Sequence, residues 1–378
     1  MAGKNAEYQT TYLRAEAAYG DTAATFADGV IVRTVGLTDP ASIKRGLIDP
    51  GVVKLDANDA GVAPVAGLDE GEIKIVTQMS GATLNVAKVA ADGLSTYLAA
   101  VVGATNVEVN GACLAGCTTT VIKATGHPYS VGDLTMIGGE VRYTSVKDAA
   151  DQYTVDMPLT AAPDAATVIY GTEQFDVLGT AIVSCGVGIS QVDTEMQYIL
   201  KGCNPSALEL TAFTPGTIGQ LTATLQVGNY TRTSITPAAA IAGAAGVVTG
   251  RVGPGLQLKN AVGALINPSA ASVTCQFGVS REWQADVKGT MGKSGCITGP
   301  AEATIECVLY QDTTLSVIEA LIGIATTINV QVGNVRGSVW GIYYPEAFLS
   351  GAPQPEKIGI AQGVKCTFKA SRGILYRA

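Results

Sequence analysis

A single histidine, eight cysteines and two carboxylate-rich loops supply the groups from which this 378-residue chain could build a chemical site. A Ser/His or Cys/His nucleophilic pair would have to use His127. That residue precedes Pro128 in the loop-like run Gly126-His127-Pro128-Tyr129 and reads as a turn residue. The carboxylates from Asp56 to Asp59 and from Asp69 to Glu72 lie among Gly, Pro and Ala, without the central Gly and closing Glu of a calcium loop. Gly250, Gly253 and Gly255 are no phosphate cradle, because Pro254 removes a backbone donor and no strand-and-helix frame surrounds them.

Cys113 and Cys117 are close in sequence and flank a Gly-containing turn, so they could pair. Cys185, Cys203, Cys275, Cys296, Cys307 and Cys366 are scattered singly, whereas a structural zinc site needs cysteine pairs near other pairs or histidines. Reduced, buried thiols acting as small apolar groups are expected. So are the absence of catalytic residues, metal and cofactors, and a protein that is not an enzyme.

The elements around these residues say one thing twice. The run from Asp92, DGLSTYLAAVVGATNVEV, corresponds to the run from Thr313, TTLSVIEALIGIATTINVQV. Leu94-Ser95 matches Leu315-Ser316, Gly103 matches Gly323, and Asn106 to Val109 matches Asn329 to Val332. Glu72 to Val76 alternates polar and apolar as a half-buried strand should, and its counterpart is Ala303 to Leu309. Each strand leads to a helix of about three turns. The first has Asp92 as N-cap, an apolar face of Leu94, Leu98, Val101 and Val102, and Gly103 at its end. The second repeats the plan with Leu315, Ile318, Leu321, Ile322 and Gly323. Helices this short need a sheet to lie on, so the unit is strand, helix, strand in a mostly β domain.

Composition agrees. Forty-five glycines and only 6% aromatics suit turn-rich β architecture. A charged fraction of 15% is low for a soluble monomer and points to surface buried between subunits, the alternative being a poorly charged extracellular protein whose Thr- and Ser-rich faces are solvated. The net charge of -8, without Lys/Arg clusters, argues against tight nucleic-acid binding. No charged segment followed by an apolar one opens the chain, so no secretory leader is expected. Ala238 to Val248 is too short to span a bilayer and reads as a linker; no membrane partner is expected.

The run from Ala15 to Val52, through Glu16, Tyr19, Gly20, Thr22, Ala23, Ala24, Val30, Val32, Lys44, Arg45 and Pro50, resembles the opening of tail tube proteins (major tail proteins) of long-tailed bacteriophages. Glu72 to Gly103, Asn334 to Phe348 and a final strand Val364 to Ala370 also fall where that family places comparable segments. The expected fold is mainly β with short helices: two tandem tail-tube-like β-sandwich or barrel domains plus an inserted small β domain. Residues 1–19 form an N-terminal arm, 20–110 and 174–236 the two parts of the first tube domain, and 111–173 the insertion. Residues 237–250 are the linker and 251–378 the second tube domain. Within the insertion, Val121, Leu134, Met136, Val141, Tyr143, Val155 and Met157 alternate with polar neighbours, and Gly138-Gly139 makes a hairpin turn. The insertion is expected to protrude outward. After it, strands are expected at Ala181 to Ser190 and Gln220 to Val227.

The resemblance implies a virion protein, assembled in the host cytoplasm, that polymerises into stacked rings through which DNA is ejected. Two tube domains per chain imply trimeric, pseudo-hexameric rings, with a tape measure protein and tail-end proteins as further partners and only transient, non-specific passage of DNA. An acidic bore would repel phosphates. Lys44 to Pro64, Gln284 to Gly299 and the arm Met1 to Tyr19 are the segments expected to reach the next ring. Lys44, Arg45, Ile48, Asp49, Asp56, Lys288, Met291 and Lys293 are the inter-ring contact candidates. The alternative is a virion decoration or receptor- or carbohydrate-binding β protein, which would use the insertion's Tyr129, Tyr143, Tyr153 and Tyr170.

Overall fold

The structure is a computed structural model that describes residues 9–16, 30–32, 34–37, 47–48, 65–66, 71–79, 83–84, 89–90, 98, 105–107, 111–177, 184–191, 196–211, 217, 219–234, 253–285, 293–312 and 314–378. The protein is mainly β with few short helical segments.

In chain order the first strands are β1 (Gln9–Ala15), β2 (Val30–Val32), β3 (Thr34–Leu37), β4 (Leu47–Ile48), β5 (Val65–Ala66), β6 (Glu72–Gln78), β7 (Thr83–Leu84), β8 (Val89–Ala90) and β9 (Thr105–Val107). Six more form the insertion: β10 (Gly111–Ala112), β11 (Val121–Lys123), β12 (Leu134–Ile137), β13 (Glu140–Ala149), β14 (Gln152–Val155) and β15 (Val168–Gly171). The chain resumes with β16 (Glu173–Asp176), β17 (Cys185–Gln191), β18 (Met196–Thr211), β19 (Gln220–Gln226) and β20 (Asn229–Ser234). The last part holds β21 (Gly255–Lys259), β22 (Leu265–Ile266), β23 (Ala270–Ala285), β24 (Lys293–Tyr310), helix α1 (Leu315–Glu319), β25 (Ala325–Val332), β26 (Trp340–Leu349), β27 (Gln354–Ile358), β28 (Ala361–Ala370) and β29 (Ile374–Arg377).

Eight of these strands form one antiparallel row, β3-β6-β19-β18-β23-β24-β28-β27. The row is one four-stranded plan used twice. β6 and β24 hold the same place, and each leads to a helical segment, at Leu98 and in α1, and then to a strand, β9 and β25. β18 and β19 return in the first unit as β27 and β28 do in the second. Period-two alternation makes the row two-faced. Along β19, Leu221, Ala223 and Leu225 are buried while Gln220, Thr222, Thr224 and Gln226 lie on the other face. Ile73, Ile75, Leu208, Leu210, Phe277, Ile305 and Phe368 continue the apolar face across the units. Burying each such Leu, Ile or Phe contributes about 1.5–3 kcal/mol.

A second row, β9-β16-β29-β26-β25-β21-β22, covers the apolar face. Its β29 lies between β16 of the first unit and β26 of the second, and the buried ion pair from Arg377 Nη1 to Glu173 Oε2, 3.0 Å long, reinforces that join. Phe175, Ile328, Val330, Ile342, Tyr344 and Leu375 of this layer share one core with the first row and with Ile318 and Leu321 of the helical segment. The β26–β28 pairing around Ala347 and Ala370 links the two rows at one side.

Several expectations need correction. The second helix spans only Leu315–Glu319 rather than three turns, because the chain passes through Gly323 at φ +75° and Ile322 bridges to Leu349 instead of continuing the helix. Ile322, expected on the apolar face, is half exposed. Of the first helix only Leu98 is described, helical and buried; Asp92, Leu94, Val101, Val102 and Gly103 lie outside the described residues. The strand expected to be final runs Ala361–Ala370 and is followed by β29. Part of the expected N-terminal arm is built into the fold: β1 pairs with β17 along its whole length, and Glu16 accepts hydrogen bonds from Gly202 N at 2.9 Å and Ser184 Oγ at 2.7 Å. The linker 237–250 lies outside the described residues.

Candidate assembly interface

Each four-stranded unit begins with two strands joined by a connection that leaves the same end of the row. The connection from β3 to β6 carries Lys44, Arg45, Ile48, Asp49 and Asp56; that from β23 to β24 carries Lys288, Met291 and Lys293. β3 and β23, from which these connections start, hold equivalent places in the row. Ile48 lies on β4, paired with Val65, and Lys293 opens β24, paired with Ala285. Lys44, Arg45, Asp49, Asp56, Lys288 and Met291 lie outside the described residues. Gln284 to Gly299, expected as a long loop, is the end of a β-hairpin whose strands run to Ala285 and resume at Lys293. Its polar and Gly-rich composition suggested a loop, and ladder pairing of residues 293–298 with β23 overrides that local preference.

The outer strands of the eight-stranded row are β3 and β27, each paired on one side only among the described residues. At the internal seam between units, Ala207, Leu208, Glu209 and Leu210 of β18 face Gly278, Phe277, Gln276 and Cys275 of β23. β27 holds in the second unit the place of β18, and β3 in the first unit the place of β23. Because directions alternate along the row, β27 of one chain would meet β3 of another antiparallel, as β18 meets β23. Pro355, Glu356 and Lys357 on β27 are exposed, the composition that discourages indiscriminate pairing.

The uncovered face of the row is rich in hydroxyl and amide groups, among them Thr222, Thr224, Gln276, Thr304 and Thr367. Its charges are largely matched. Lys365 Nζ lies 2.9 Å from Glu306 Oε1, and Lys369 pairs with Glu302. Glu72, Lys74 and Glu209 share this face, so the chain's acidity is not concentrated there.

The insertion is a half-open barrel of order β10-β15-β12-β13-β14-β11. β13 bends through irregularities at Thr144/Val146 and Lys147/Ala149, and Leu114 N donates to Lys123 O at 2.8 Å across the open seam. The Gly138-Gly139 turn takes φ of +58° and +89° between paired Ile137 and Glu140, as a two-residue hairpin requires.

The insertion does not stand free as a protrusion. Every residue of β12 is buried, because Ile137 faces the barrel's own core while Leu134 and Met136 pack on Val339, Tyr343, Ile374 and Tyr376 of the second row. Arg142, fully buried, donates to Gln257 Oε1 at 2.9 Å and Pro158 O at 3.1 Å, and pairs with Glu140. Asn329 Nδ2 donates to Val141 O at 3.3 Å, and Gln331 accepts from Val141 N at 2.9 Å. Tyr343 donates its hydroxyl to Asp156. Desolvation raises the Asp156 carboxyl above its ordinary range, against the lowering pull of the Tyr343 hydroxyl, Lys259 and Arg142. Burial likewise pushes the Tyr343 hydroxyl well up.

His127 follows a turn, but its ring is buried against Tyr129 and Tyr153 in the barrel core. Among the described residues no group of three or more His, Cys, Asp or Glu could hold a metal. Tyr129 and Tyr153 are buried, Tyr143 stacks on Tyr343 at 5.6 Å, and Arg336 lies 4.8 Å over the Tyr170 ring. The cysteines that look isolated in sequence meet in space. Cys185 stands opposite Cys203, and Cys307 opposite Cys366. No protein-family model matches the chain, and no curated protein matches it.

Proposed function

We propose that this chain is a structural protein that polymerises into stacked rings, the tail tube of a long-tailed bacteriophage, through which DNA passes into the host. The observation that carries the reading is the doubled row β3-β6-β19-β18-β23-β24-β28-β27, whose end strands β3 and β27 are each paired on one side only among the described residues. Seating β27 of one chain beside β3 of the next repeats the β18–β23 seam. Three chains then supply six equivalent units and remove the open edges. The second row covers the apolar face, so in a closed ring the Thr- and Gln-rich face lines the bore. That lining offers phosphates no array of unpaired cations. Stacking falls to the β3–β6 and β23–β24 connections, with Lys44, Arg45, Ile48, Asp49, Asp56, Lys288, Met291 and Lys293 as contacts.

A tape measure protein and tail-end proteins are the further partners in this reading, and the chain acts in the virion without catalysis. The carbohydrate-binding alternative has less support, since the four tyrosines it would use are buried, stacked or covered. Negative-stain electron microscopy of the purified chain tests the proposal. Rings or tubes support it; discrete single chains at every concentration and salt would remove it and favour a decoration role.

A further inference from the structure

We propose that Cys113 and Cys117 form an oxidisable dithiol, which a small disulfide oxidant converts to a disulfide inside the insertion while the buried cysteines of the main sheets stay reduced. The two residues bracket a tight turn in which Gly116 adopts φ +84°. That turn packs Cys117 against the buried barrel cluster to which Cys113 belongs. Lys123 N donates to Cys117 Sγ at 3.2 Å, and Cys117 Sγ lies 3.3 Å from Leu114 O. These bonds hold the sulfur at the barrel seam, beside the Leu114 to Lys123 hydrogen bond.

The two thiols differ in access. Cys117 is partly exposed, whereas Cys113 is buried and its thiol is pushed up to about 12 by that burial. The first attack therefore falls to Cys117. With oxidised glutathione as oxidant, the Cys117 thiolate attacks one glutathione sulfur, the glutathione S–S bond breaks, and one glutathione thiolate leaves. Cys113 gives its proton to a departing thiolate and attacks Cys117 Sγ, forming the Cys113–Cys117 bond and releasing the second glutathione. Two protein thiols are oxidised and one glutathione disulfide is reduced to two thiols. Cys185 and Cys203 face each other, as do Cys307 and Cys366, but all four are shielded from an oxidant in the folded chain.

The test is incubation of the native full-length chain with oxidised glutathione, followed by intact mass and peptide mapping with thiols blocked. The expected product has lost two hydrogens, retains no glutathione and yields a Cys113–Cys117 crosslinked peptide, with Cys185, Cys203, Cys307 and Cys366 still alkylatable. Cys113→Ser should instead trap glutathione on Cys117. An unchanged mass, or glutathione retained on Cys117 in the unsubstituted chain, overturns the proposal.

Discussion

Leu208 stands directly opposite Phe277, across the seam where β18 of the first four-stranded unit meets β23 of the second. Both side chains are buried in the common core, so the two units share one sheet and one apolar layer. In the proposed ring, β27 and β3 of neighbouring chains would take the places that β18 and β23 hold at this seam.

The β27 edge is the place to break that repetition. Ile358 faces Ala361 across the two-residue turn Gly359-Ile360, so the backbone groups of residues 357 and 355 turn away from β28. Pro355 has no N–H, which leaves Lys357 as the outward donor of this strand. Lys357→Pro should abolish ring formation while changing the chain's own stability by less than about 1 kcal/mol, since an edge tolerates proline where its N–H faces outward. Solution mass and urea denaturation check the two halves of this expectation.

Arg142 should prove the most sensitive polar residue at the docked insertion. Its replacement by Met would leave Glu140 and Gln257 without their buried partner, at a cost of about 3–5 kcal/mol. Thermal unfolding should show the loss, and hydrogen exchange should show it concentrated in β12, β13 and the facing strands β25 and β29.

Asp156 predicts an acid-side trend opposite to that of a salt-bridged carboxylate. Its folded pKa is raised, mainly by desolvation, above the ordinary 3.8 at which the unfolded chain titrates. Between those values the folded protein holds a proton that the unfolded chain has released. This group's contribution therefore favours folding most below the window and declines as pH rises through it. Asp156→Asn keeps an oxygen for the Tyr343 hydroxyl and cannot ionise, so this part of the decline should vanish. Denaturant melts from just below the ordinary carboxylate value to neutrality would reveal it.

Deleting Ile48 to Ala60, within the connection from β3 to β6, should leave a folded chain that forms no tubes. Circular dichroism and electron microscopy check it; normal polymerisation of the deletion would take this segment out of the stacking interface.

How much of this could be read beforehand depended on whether the signal was local. The alternation in Glu72 to Val76 and the Gly138-Gly139 turn are written in neighbouring residues, and they stand where expected. The doubled segment raised the expectation of two units. It could not announce that they share a sheet, because the Leu208–Phe277 pairing joins residues far apart in the chain. Cys185 with Cys203 and Cys307 with Cys366 were hidden for the same reason. β29 was missed because four residues after Gly373 carry too short a pattern to register alone. The insertion's docking was hidden as well, because alternation in β12 marks one buried face and says nothing of a second layer against the other.

The mass of the assembled ring tests the central claim most directly. Purified chain should form a species of three times 38.6 kDa, with six similar lobes in end-on negative-stain averages, and Lys357→Pro should return it to single chains. A native chain that stays at 38.6 kDa under every concentration and salt, with β3 and β27 open to solvent by hydrogen exchange, would contradict it.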